Sequence, residues 1–377
     1  MKVTMMAREY PPYVYGGAGV HLRYLAQELS KIMDVEIRCF GDQNVNDTSL
    51  QATGYKGWDA LKGKKFSPAL ETMSVNLLSQ MKEIDADVVH THTWYGHFGG
   101  LLTKILYDIP FVATCHSLEP LRPWKEDQLG RGYQLSAWIE KTAIEQCDKV
   151  IAVSKLMKQD ILNCFNIPEE KVAVIHNGID LNKWNHTPLN DSLKKEYGIA
   201  DDYILFVGRP TPQKGLEYLI DAADDIPVQI VLGAVGADTK DYEERMMKKV
   251  EQKKNIVWIH KMLKEEEYVQ LYSSAKVFVC PSIYEPFGII NLEAMACKTP
   301  VVAAATGGIL EVVVPEETGL HVEPKNSEQI AAAVNRLLKD DNLRKRFGEN
   351  GRKRVEKYFS WTYIAEQTKK LYEGLSK

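Results

Sequence analysis

Residues 3–25 read VTMMAREYPPYVYGGAGVHLRYL, and this stretch decides the fold. The run Val3–Ala7 is apolar enough for a buried strand, and the apolar spacing over His21–Ile32 is helical. Between them lies a loop rich in proline and glycine, Arg8–Gly19. A strand, a loop and a helix in this order are typical of one repeat of a parallel α/β sheet.

The same alternation continues along the chain and begins again after residue 200. A polar stretch without periodicity, Gly178–Asn190, separates the two series and is predicted to be a linker. The pattern therefore predicts an α/β fold with two Rossmann-like doubly wound domains, at residues 1–180 and 181–360. Near the end, Ser327 is predicted to cap a helix, and Gly348 and Gly351 to interrupt the next one. The remaining predicted strands are Val35–Phe40, Val88–His90, Phe111–Cys115, Val150–Val153, Val172–Ile175, Tyr203–Val207, Val228–Leu232, Ile256–Ile259, Val277–Cys280 and Val301–Ala303.

The composition of the 377 residues excludes several classes of protein. Lys and Arg number 47 against 51 Asp and Glu, and a formal net charge of −4 does not suit general binding to nucleic-acid phosphates. Six scattered cysteines without a CxxC pair argue against a structural zinc site and a dense disulfide framework. Charged residues and prolines occur too early in the first residues for a secretory signal. No apolar run approaches the ~20 residues that a membrane span requires. We expect a cytoplasmic protein that binds neither nucleic acid nor membrane.

The first loop at the carboxyl edge of the predicted sheets contains Gly16, Gly17 and Gly19. Ligands of open parallel sheets bind at this edge, where helix N-termini and loops converge. Glycines would let the backbone approach a ligand closely, and the start of the following helix would favour an anion. The pattern matches neither GxGxxG nor a Walker loop. A tight turn that merely leads into the helix is the alternative.

The corresponding loop of the second half is VGRPTPQKG, residues 207–215. It places two cations, Arg209 and Lys214, beside the start of a helix, which suits a diphosphate. These cations could neutralise the charge that builds up on a departing diphosphate. The alternative is that both are solvated surface residues.

The most specific motif is EPFGIINLEAMACKTP, residues 285–300. A helix is predicted to begin near Gly288, so that the N–H groups of Gly288, Ile289 and Ile290 point out of its start. Glu293, in the first turns, could accept hydrogen bonds from a nucleotide ribose, and Glu285 would lie nearer the reacting sugar. An acidic residue placed favourably near a helix N-terminus, without a ligand, is the alternative for Glu293.

His116, in ATCHSLEPLRPWK, ends a predicted strand and should lie on the ligand-binding edge of the first half, as a catalytic or a structural residue. No metal site is predicted. The DxD pattern of Asp85 and Asp87 precedes a strand and so lies at the wrong edge of the sheet. The neighbouring histidines are too irregularly spaced for zinc ligation: they are His90, His92 and His97.

Together these motifs resemble the retaining glycosyltransferases of family 4, whose GT-B fold has two Rossmann-like domains facing a central cleft. Glu285 and Glu293 resemble the E-x7-E element of that family, and Arg209 with Lys214 its donor-phosphate element. The similarity is closer still to glycogen synthases of the corynebacterial type. It spans nearly the whole chain, in REYPPYVYGGAGVH, HTHTWYGH, CHSLEPLRPWK, LSAWIEKTAIEQCDKVIAVS and VIHNGID.

For the first half, the resemblance implies that the loop at Gly16 and Gly17 approaches the donor phosphates and sugar. His116 would hydrogen-bond the transferred glucose through its ring or its backbone carbonyl. The segment 361–377 would return to pack on this domain, which would hold the acceptor. In one departure, larger bacterial glycogen synthases carry a KTGG loop, whereas here Tyr15 stands before Gly16, so a phosphate contact from that lysine is absent.

For the second half, the resemblance implies a nucleotide-sugar site. Arg209 and Lys214 would bind the diphosphate leaving group. Glu285 would contact the glucose hydroxyls and Glu293 the ribose. The backbone near Lys261–Leu263 would hold the base.

The activity implied is that of a glycogen or starch synthase, a retaining hexosyltransferase that needs no metal or cofactor. Glucose would pass from ADP-glucose or UDP-glucose to the non-reducing end of an α-1,4-glucan acceptor. Two alternatives remain open. One is a family-4 enzyme with another acceptor, such as glucose 1-phosphate giving maltose 1-phosphate. The other is a non-catalytic sugar-nucleotide-binding protein. Nothing in the sequence distinguishes ADP- from UDP-glucose or defines an oligomeric state.

Overall fold

A computed structural model describes residues 1–375, apart from the side chains of Trp124, Asp127 and Gln128. The chain divides into two compact units. Unit 1 comprises Met1–Asn177 together with the residues from Trp361 onward, and unit 2 comprises Gly178–Ser360. Each unit contains a largely parallel sheet with helices between its strands, so the predicted doubly wound α/β fold is confirmed.

Unit 1 contains an eight-stranded sheet in the order β3-β4-β2-β1-β5-β6-β7-β8. All neighbours are parallel except β3, an edge strand that runs antiparallel to β4. The strands are β1 Lys2–Ala7, β2 Asp34–Phe40, β3 Asn44–Asn46, β4 Leu50–Tyr55, β5 Val88–His92, β6 Phe111–Cys115, β7 Lys149–Ala152 and β8 Val172–Val174. The α-helices are α1 Gly17–Leu29, α2 Ser67–Leu78, α3 Trp94–Tyr107, α4 Glu126–Leu129, α5 Gly132–Gln146 and α6 Lys155–Cys164, with α15 Trp361–Glu373 from the end of the chain.

Unit 2 contains a six-stranded, wholly parallel sheet in the order β11-β10-β9-β12-β13-β14. Its strands are β9 Tyr203–Val207, β10 Gln229–Gly233, β11 Ile256–Ile259, β12 Val277–Cys280, β13 Val301–Ala304 and β14 Gly319–Val322. Its α-helices are α7 Asp191–Tyr197, α8 Leu216–Asp221, α9 Lys240–Val250, α10 Glu265–Ser274, α11 Ile289–Ala296, α12 Ile309–Val312, α13 Ser327–Lys339 and α14 Asp341–Tyr358.

In each sheet, the strand order reverses at the first strand. In unit 1 the chain passes from β1 to β2 on one side and returns to β5 on the other. In unit 2, β9 has β10 on one side and β12 on the other. Loops at such a switch point part to opposite faces of the sheet and leave a crevice at its carboxyl edge. The loops after β1 and β5 and those after β9 and β12 are therefore where ligands should bind.

Two local predictions near the end of the chain are wrong. The cap of α13 is Asn326, whose side-chain Oδ1 accepts a hydrogen bond from Gln329 N at 2.9 Å, and Ser327 is the first helical residue. Helix α14 runs through Gly348 and Gly351 without interruption. An added Cβ at Gly348 would stand 2.1 Å from the carbonyl oxygen of Lys298, so this glycine allows close packing and does not end the helix.

Within residues 1–375, none of the helices has the length and apolar character that crossing a membrane requires.

Candidate active site

A buried ion pair lies at the switch point of unit 2. Lys214 Nζ and Glu285 Oε2 are 2.6 Å apart, with 18% and 8% of the two side chains exposed. Ser282 Oγ donates a second hydrogen bond to the same carboxylate oxygen at 3.1 Å. Two residues that the sequence presents in separate motifs thus form one charged unit, on the loops that follow β9 and β12.

Close backbone packing fixes these two loops against each other. Ile283 N donates to the carbonyl of Gln213 at 2.8 Å, and Gln213 Nε2 donates to the carbonyl of Tyr284 at 3.0 Å. Gly215 has a φ of 64°, and a Cβ there would lie 2.0 Å from the carbonyl oxygen of Pro281. Only glycine fits this position without moving the loop that carries Glu285.

A third loop, after β13, supports Glu285 from the other side. Gly308 N donates to the carbonyl of Glu285 at 2.8 Å. A Cβ on Gly307 would lie 1.9 Å from the same oxygen. The backbone of Glu285 is therefore held by contacts on both sides, which positions its carboxylate before any ligand arrives.

Arg209 lies on the same β9 loop but in a more open environment. Its side chain is 43% exposed, and Nη1 donates to Asp238 Oδ1 at 2.8 Å. The guanidinium is therefore held at the carboxyl edge of the sheet by one partner and retains exposed donors.

Helix α11 begins where the sequence predicts. Gly288 is its N-cap, with a φ of 93°, and the first-turn N–H groups of Ile289 and Ile290 have no acceptor within the helix. Glu293 lies one turn further on and accepts a hydrogen bond from the Tyr272 hydroxyl at 3.0 Å. Burial raises the pKa of Glu293 to about 7, although the Tyr272 hydrogen bond acts in the opposite direction.

The segment Lys261–Leu263 connects β11 to α10 at this edge. Leu263 is buried, whereas the Lys261 side chain is 63% exposed and forms an ion pair with Glu196 at 3.3 Å. The segment can offer backbone groups to a ligand, as the sequence analysis expects, but no side-chain contact ties it to the Lys214–Glu285 pair among the described residues.

In unit 1 the glycine loop after β1 leads into α1, which begins at Gly17 with Gly16 as its N-cap. A Cβ on Gly16 would meet no atom within 4 Å, so the backbone there is open to an approaching group. Its N–H, however, already donates to Glu9 Oε2 at 2.9 Å, beside that of Tyr15 at 2.7 Å. The carboxylate of Glu9 holds the shape of the loop.

His116, just after β6, belongs to a cluster of histidines that the sequence pattern does not predict. His92 Nδ1 and His116 Nε2 share a hydrogen bond of 3.1 Å, and the ring of His21 meets that of His116 edge to face at 4.7 Å. His90 continues the cluster, with its ring centroid 4.3 Å from that of His92. The spacing of His90 and His92, two residues apart on β5, is the one sequence feature that could have indicated this cluster.

Helix α15 closes this cluster. The Tyr372 hydroxyl and His90 Nδ1 share a hydrogen bond of 2.5 Å, and His90 Nε2 bonds the Thr114 hydroxyl at 2.6 Å. Trp361 meets the ring of His21 edge to face at 5.3 Å. Helix α15 therefore contacts two members of the histidine cluster, His21 and His90.

These imidazoles are neutral at pH 7. Burial lowers the pKa of His21 to about 4, and burial with like-charge neighbours lowers the pKa values of His90, His92 and His116 well below 6.5. Neutral rings can donate and accept hydrogen bonds, but they supply no positive charge. His21, His92 and His116 also place one ring nitrogen each within 4.8 Å of one another, a spacing that could hold a metal ion.

Two family models match the chain. "Glycosyltransferase Family 4" covers residues 15–183, and "Glycosyl transferases group 1" covers residues 190–354. An alpha-maltose-1-phosphate synthase of Mycolicibacterium smegmatis is 42% identical over 393 residues, covering 100% of both chains. A sucrose-phosphate synthase structure from Thermosynechococcus elongatus aligns with a TM-score of 0.82 at 24% identity, covering 99% of this chain and 98% of that one. This likeness confirms the GT-B architecture.

The expectation of a glycogen synthase is wrong. A glycogen synthase of Mycobacterium tuberculosis is only 28% identical over 99% of this chain and 94% of its own. The higher identity to an alpha-maltose-1-phosphate synthase means that the resemblance to glycogen synthases does not identify a polymer acceptor. Full-length similarity at 42% and the two model matches establish the broader assignment: the chain belongs to the family-4 glycosyltransferases.

Proposed function

We propose that the protein transfers a glucosyl residue from a nucleoside diphosphate glucose to glucose 1-phosphate, giving maltose 1-phosphate. The observation that carries this proposal is the 42% identity, over the whole of both chains, to a protein named alpha-maltose-1-phosphate synthase. A hydroxyl of the acceptor forms a bond to C1 of the donor glucose. The bond from C1 to the diphosphate breaks, the diphosphate takes the electron pair, and the proton of the hydroxyl passes to an oxygen of the leaving diphosphate.

Unit 2 is proposed to bind the donor. Arg209, Lys214 and the first N–H groups of α11, at Ile289 and Ile290, would stabilise the negative charge that develops on the leaving diphosphate. The ammonium of Lys214 has three donors, so it can keep Glu285 and still reach a phosphate oxygen.

The remaining donor contacts in this proposal come from carboxylates and backbone. Glu285, held by its neighbours, would accept hydrogen bonds from glucose hydroxyls. Glu293, beside Tyr272, would accept them from the ribose. The N-cap Gly288 and the segment Lys261–Leu263 would border the sugar nucleotide. No step in this scheme needs a metal ion, because cations and amides supply the positive field.

Unit 1 is proposed to bind the acceptor and the transferred sugar. Gly16 and Gly17 would offer open backbone, and His116 would hydrogen-bond the glucose as a neutral imidazole. His92 engages one nitrogen of His116, so it orients the ring that faces the sugar. The family resemblance implies that the anomeric configuration is retained.

A matrix assay tests the proposal. ADP-, UDP- and GDP-glucose are each offered with glucose 1-phosphate, glucose, maltose or glycogen, and products are identified by mass. We expect a disaccharide monophosphate with glucose 1-phosphate and at least one donor. Transfer to glycogen or to a lipid extract, with none to glucose 1-phosphate, would refute the assignment. The same matrix determines which nucleobase the donor carries.

A further inference from the structure

Three cationic side chains of unit 1 lie near one aromatic ring. The Cζ atom of Arg8 lies 4.5 Å from the ring centroid of Tyr95, and its Nη1 donates to the Tyr95 hydroxyl at 2.8 Å. Lys125 Nζ lies 5.6 Å from the same centroid. Arg122 Nη1 donates to Ser117 Oγ at 2.9 Å, directly beside His116. We call Arg8, Arg122 and Lys125 the cationic cluster.

The cluster belongs to the ligand-binding edge of the sheet. Arg8 follows β1, Tyr95 lies in the first turn of α3 after β5, and Arg122 and Lys125 lie on the segment after β6. The loops after β1 and β5 lie at the topological switch point of unit 1, where ligands of such sheets bind, and the segment after β6 follows the neighbouring strand. A small recess at the ends of β1 and β5 has Arg8, His92 and Thr93 in its wall. The cluster and His116 thus share one edge.

Protein carboxylates balance only part of this charge. Glu119 Oε1 lies 3.3 Å from Lys125 Nζ and 4.0 Å from Arg122 Nη1. The second acid nearby, Glu140, accepts a hydrogen bond from Glu119 N at 2.7 Å, and burial raises its pKa well above 4.5, which disfavours its charged form. Arg122 and Lys125 thus share one ion-pair partner and Arg8 has none among the described residues, so the cluster has an excess of positive charge over its ion-paired carboxylates.

The cluster also carries the signs of an unsatisfied anion site. Lys125 and Arg122 are largely buried, with 8% and 13% of their side chains exposed. Burial and the positive charge of Arg122 lower the pKa of Lys125. Nε of Arg122 is buried and has no hydrogen-bond partner among the residues that the structure describes. Buried cations that repel one another and retain free donors are stabilised by a bound anion.

We infer that Arg8, Arg122 and Lys125, arranged around Tyr95, bind the phosphate of the sugar-phosphate acceptor. The inference rests on the proposed function, in which the acceptor is glucose 1-phosphate. A phosphate monoester near pH 7 carries close to two negative charges and offers several acceptor oxygens, which matches the excess charge and the donors of the cluster. In glucose 1-phosphate, the phosphate lies at the opposite end of the sugar from the attacking 4-hydroxyl. A phosphate site on the same segment as His116 would therefore hold the acceptor beside the residue that is proposed to bind the transferred glucose.

The test compares Arg8→Gln and Arg122→Gln with wild type, using glucose 1-phosphate and unphosphorylated glucose as acceptors. We expect KM for glucose 1-phosphate to rise about 10- to 100-fold in each variant, since each loses charge-assisted hydrogen bonds to the phosphate. KM for the sugar nucleotide and the rate with glucose should stay within about twofold. Arg122→Lys, which keeps the charge but loses the planar fork, should recover part of the loss. Lys149→Met, at the amino end of β7 on the opposite edge, is the matched control and should behave as wild type.

Direct binding separates this inference from the proposed function. Glucose 1-phosphate is titrated calorimetrically into wild type and variants in the presence of saturating nucleoside diphosphate. Weaker binding by at least tenfold in both arginine variants supports the phosphate site. If wild type binds and uses glucose 1-phosphate while the variants bind it equally well, the inference is overturned and the proposed function stands. If wild type neither binds nor uses it, both fail. Arg8 is exposed, so Arg8→Gln keeps the test valid even if a buried variant does not fold.

Discussion

Replacement of Lys214 by methionine separates stability from turnover, because this cation is both buried and proposed to touch the substrate. The change removes the charge and keeps most of the aliphatic side chain. The Glu285 carboxylate, 8% exposed, loses its partner at 2.6 Å. Breaking a buried pair in this way costs about 3–5 kcal/mol. Ser282 still donates to the carboxylate at 3.1 Å, so we expect the lower end of that range, about 3 kcal/mol.

Arg209→Met is the matched comparison. Its side chain is 43% exposed and its one ion pair, with Asp238, reaches the surface. Exposed pairs contribute about 0.2–1 kcal/mol. Both variants nevertheless remove one positive charge from the proposed diphosphate site, and loss of one such contact lowers kcat about 10²- to 10³-fold. We therefore expect similar losses of turnover and unequal losses of stability.

Thermal unfolding and steady-state kinetics measure the two effects on the same preparations. For a domain of 150–250 residues, 1 kcal/mol shifts Tm by about 2–4 °C. The expected shift is therefore about 6–12 °C for Lys214→Met and at most about 4 °C for Arg209→Met. The double variant Lys214→Met with Glu285→Gln should recover part of the stability without recovering activity. Equal Tm values for the two single variants, or wild-type turnover in both, would refute the reasoning.

The pKa of about 7 at Glu293 predicts that donor binding weakens as this carboxylate is protonated: KM for the sugar nucleotide should rise about tenfold from pH 8 to pH 6 in wild type and stay flat in Glu293→Gln. For His21 the folded-state pKa of about 4 lies below the ordinary value of 6.5, so the unfolded chain binds more protons between these pH values. Stability should therefore fall as pH drops from 6.5 toward 4, by up to about 3 kcal/mol from this residue, and an unchanged urea midpoint would contradict the burial. Tyr372→Phe leaves His90 Nδ1 buried without its partner and should cost about 1–2 kcal/mol of unfolding free energy, whereas a wild-type urea midpoint would show that the bond contributes nothing. Activity should survive EDTA, and a strict requirement for Mg²⁺ would argue against charge stabilisation by side chains and amides alone.

The sequence was informative about the fold wherever strands are fully buried. Runs such as Tyr203–Val207 are continuously apolar because both faces of a central parallel strand are covered. The strands that sequence reasoning missed lie at or next to sheet edges. In β4, Leu50–Tyr55, only Ala52 is buried, so its sequence carries no apolar run. Gly348 was predicted to interrupt a helix, but it is needed for close packing against a carbonyl on another part of the chain.

At the candidate site, the sequence indicated individual residues but not their partners. Lys214 and Glu285 are 71 positions apart, and their pairing depends on how the loops after β9 and β12 meet. His92 and His116 come together only because β5 and β6 are neighbours in the sheet. Such contacts arise from tertiary structure, which short motifs do not encode.

The acceptor was the least predictable feature. The motifs that carry the family resemblance most specifically, Glu285 with Glu293 and Arg209 with Lys214, fall in unit 2, where the donor is proposed to bind. Enzymes that share a donor chemistry can share these residues and still differ in acceptor. Acceptor choice is expected to depend on a few side chains of unit 1, and none of these forms a recognisable short pattern.

The most direct test of the central claim follows the phosphate of the acceptor. Glucose 1-[³²P]phosphate is incubated with unlabelled sugar nucleotide and the protein, and the labelled products are separated by size and charge. We expect the label to move into a compound that is one hexose larger and keeps its phosphate monoester. Label that stays in glucose 1-phosphate while the sugar nucleotide is consumed would contradict it.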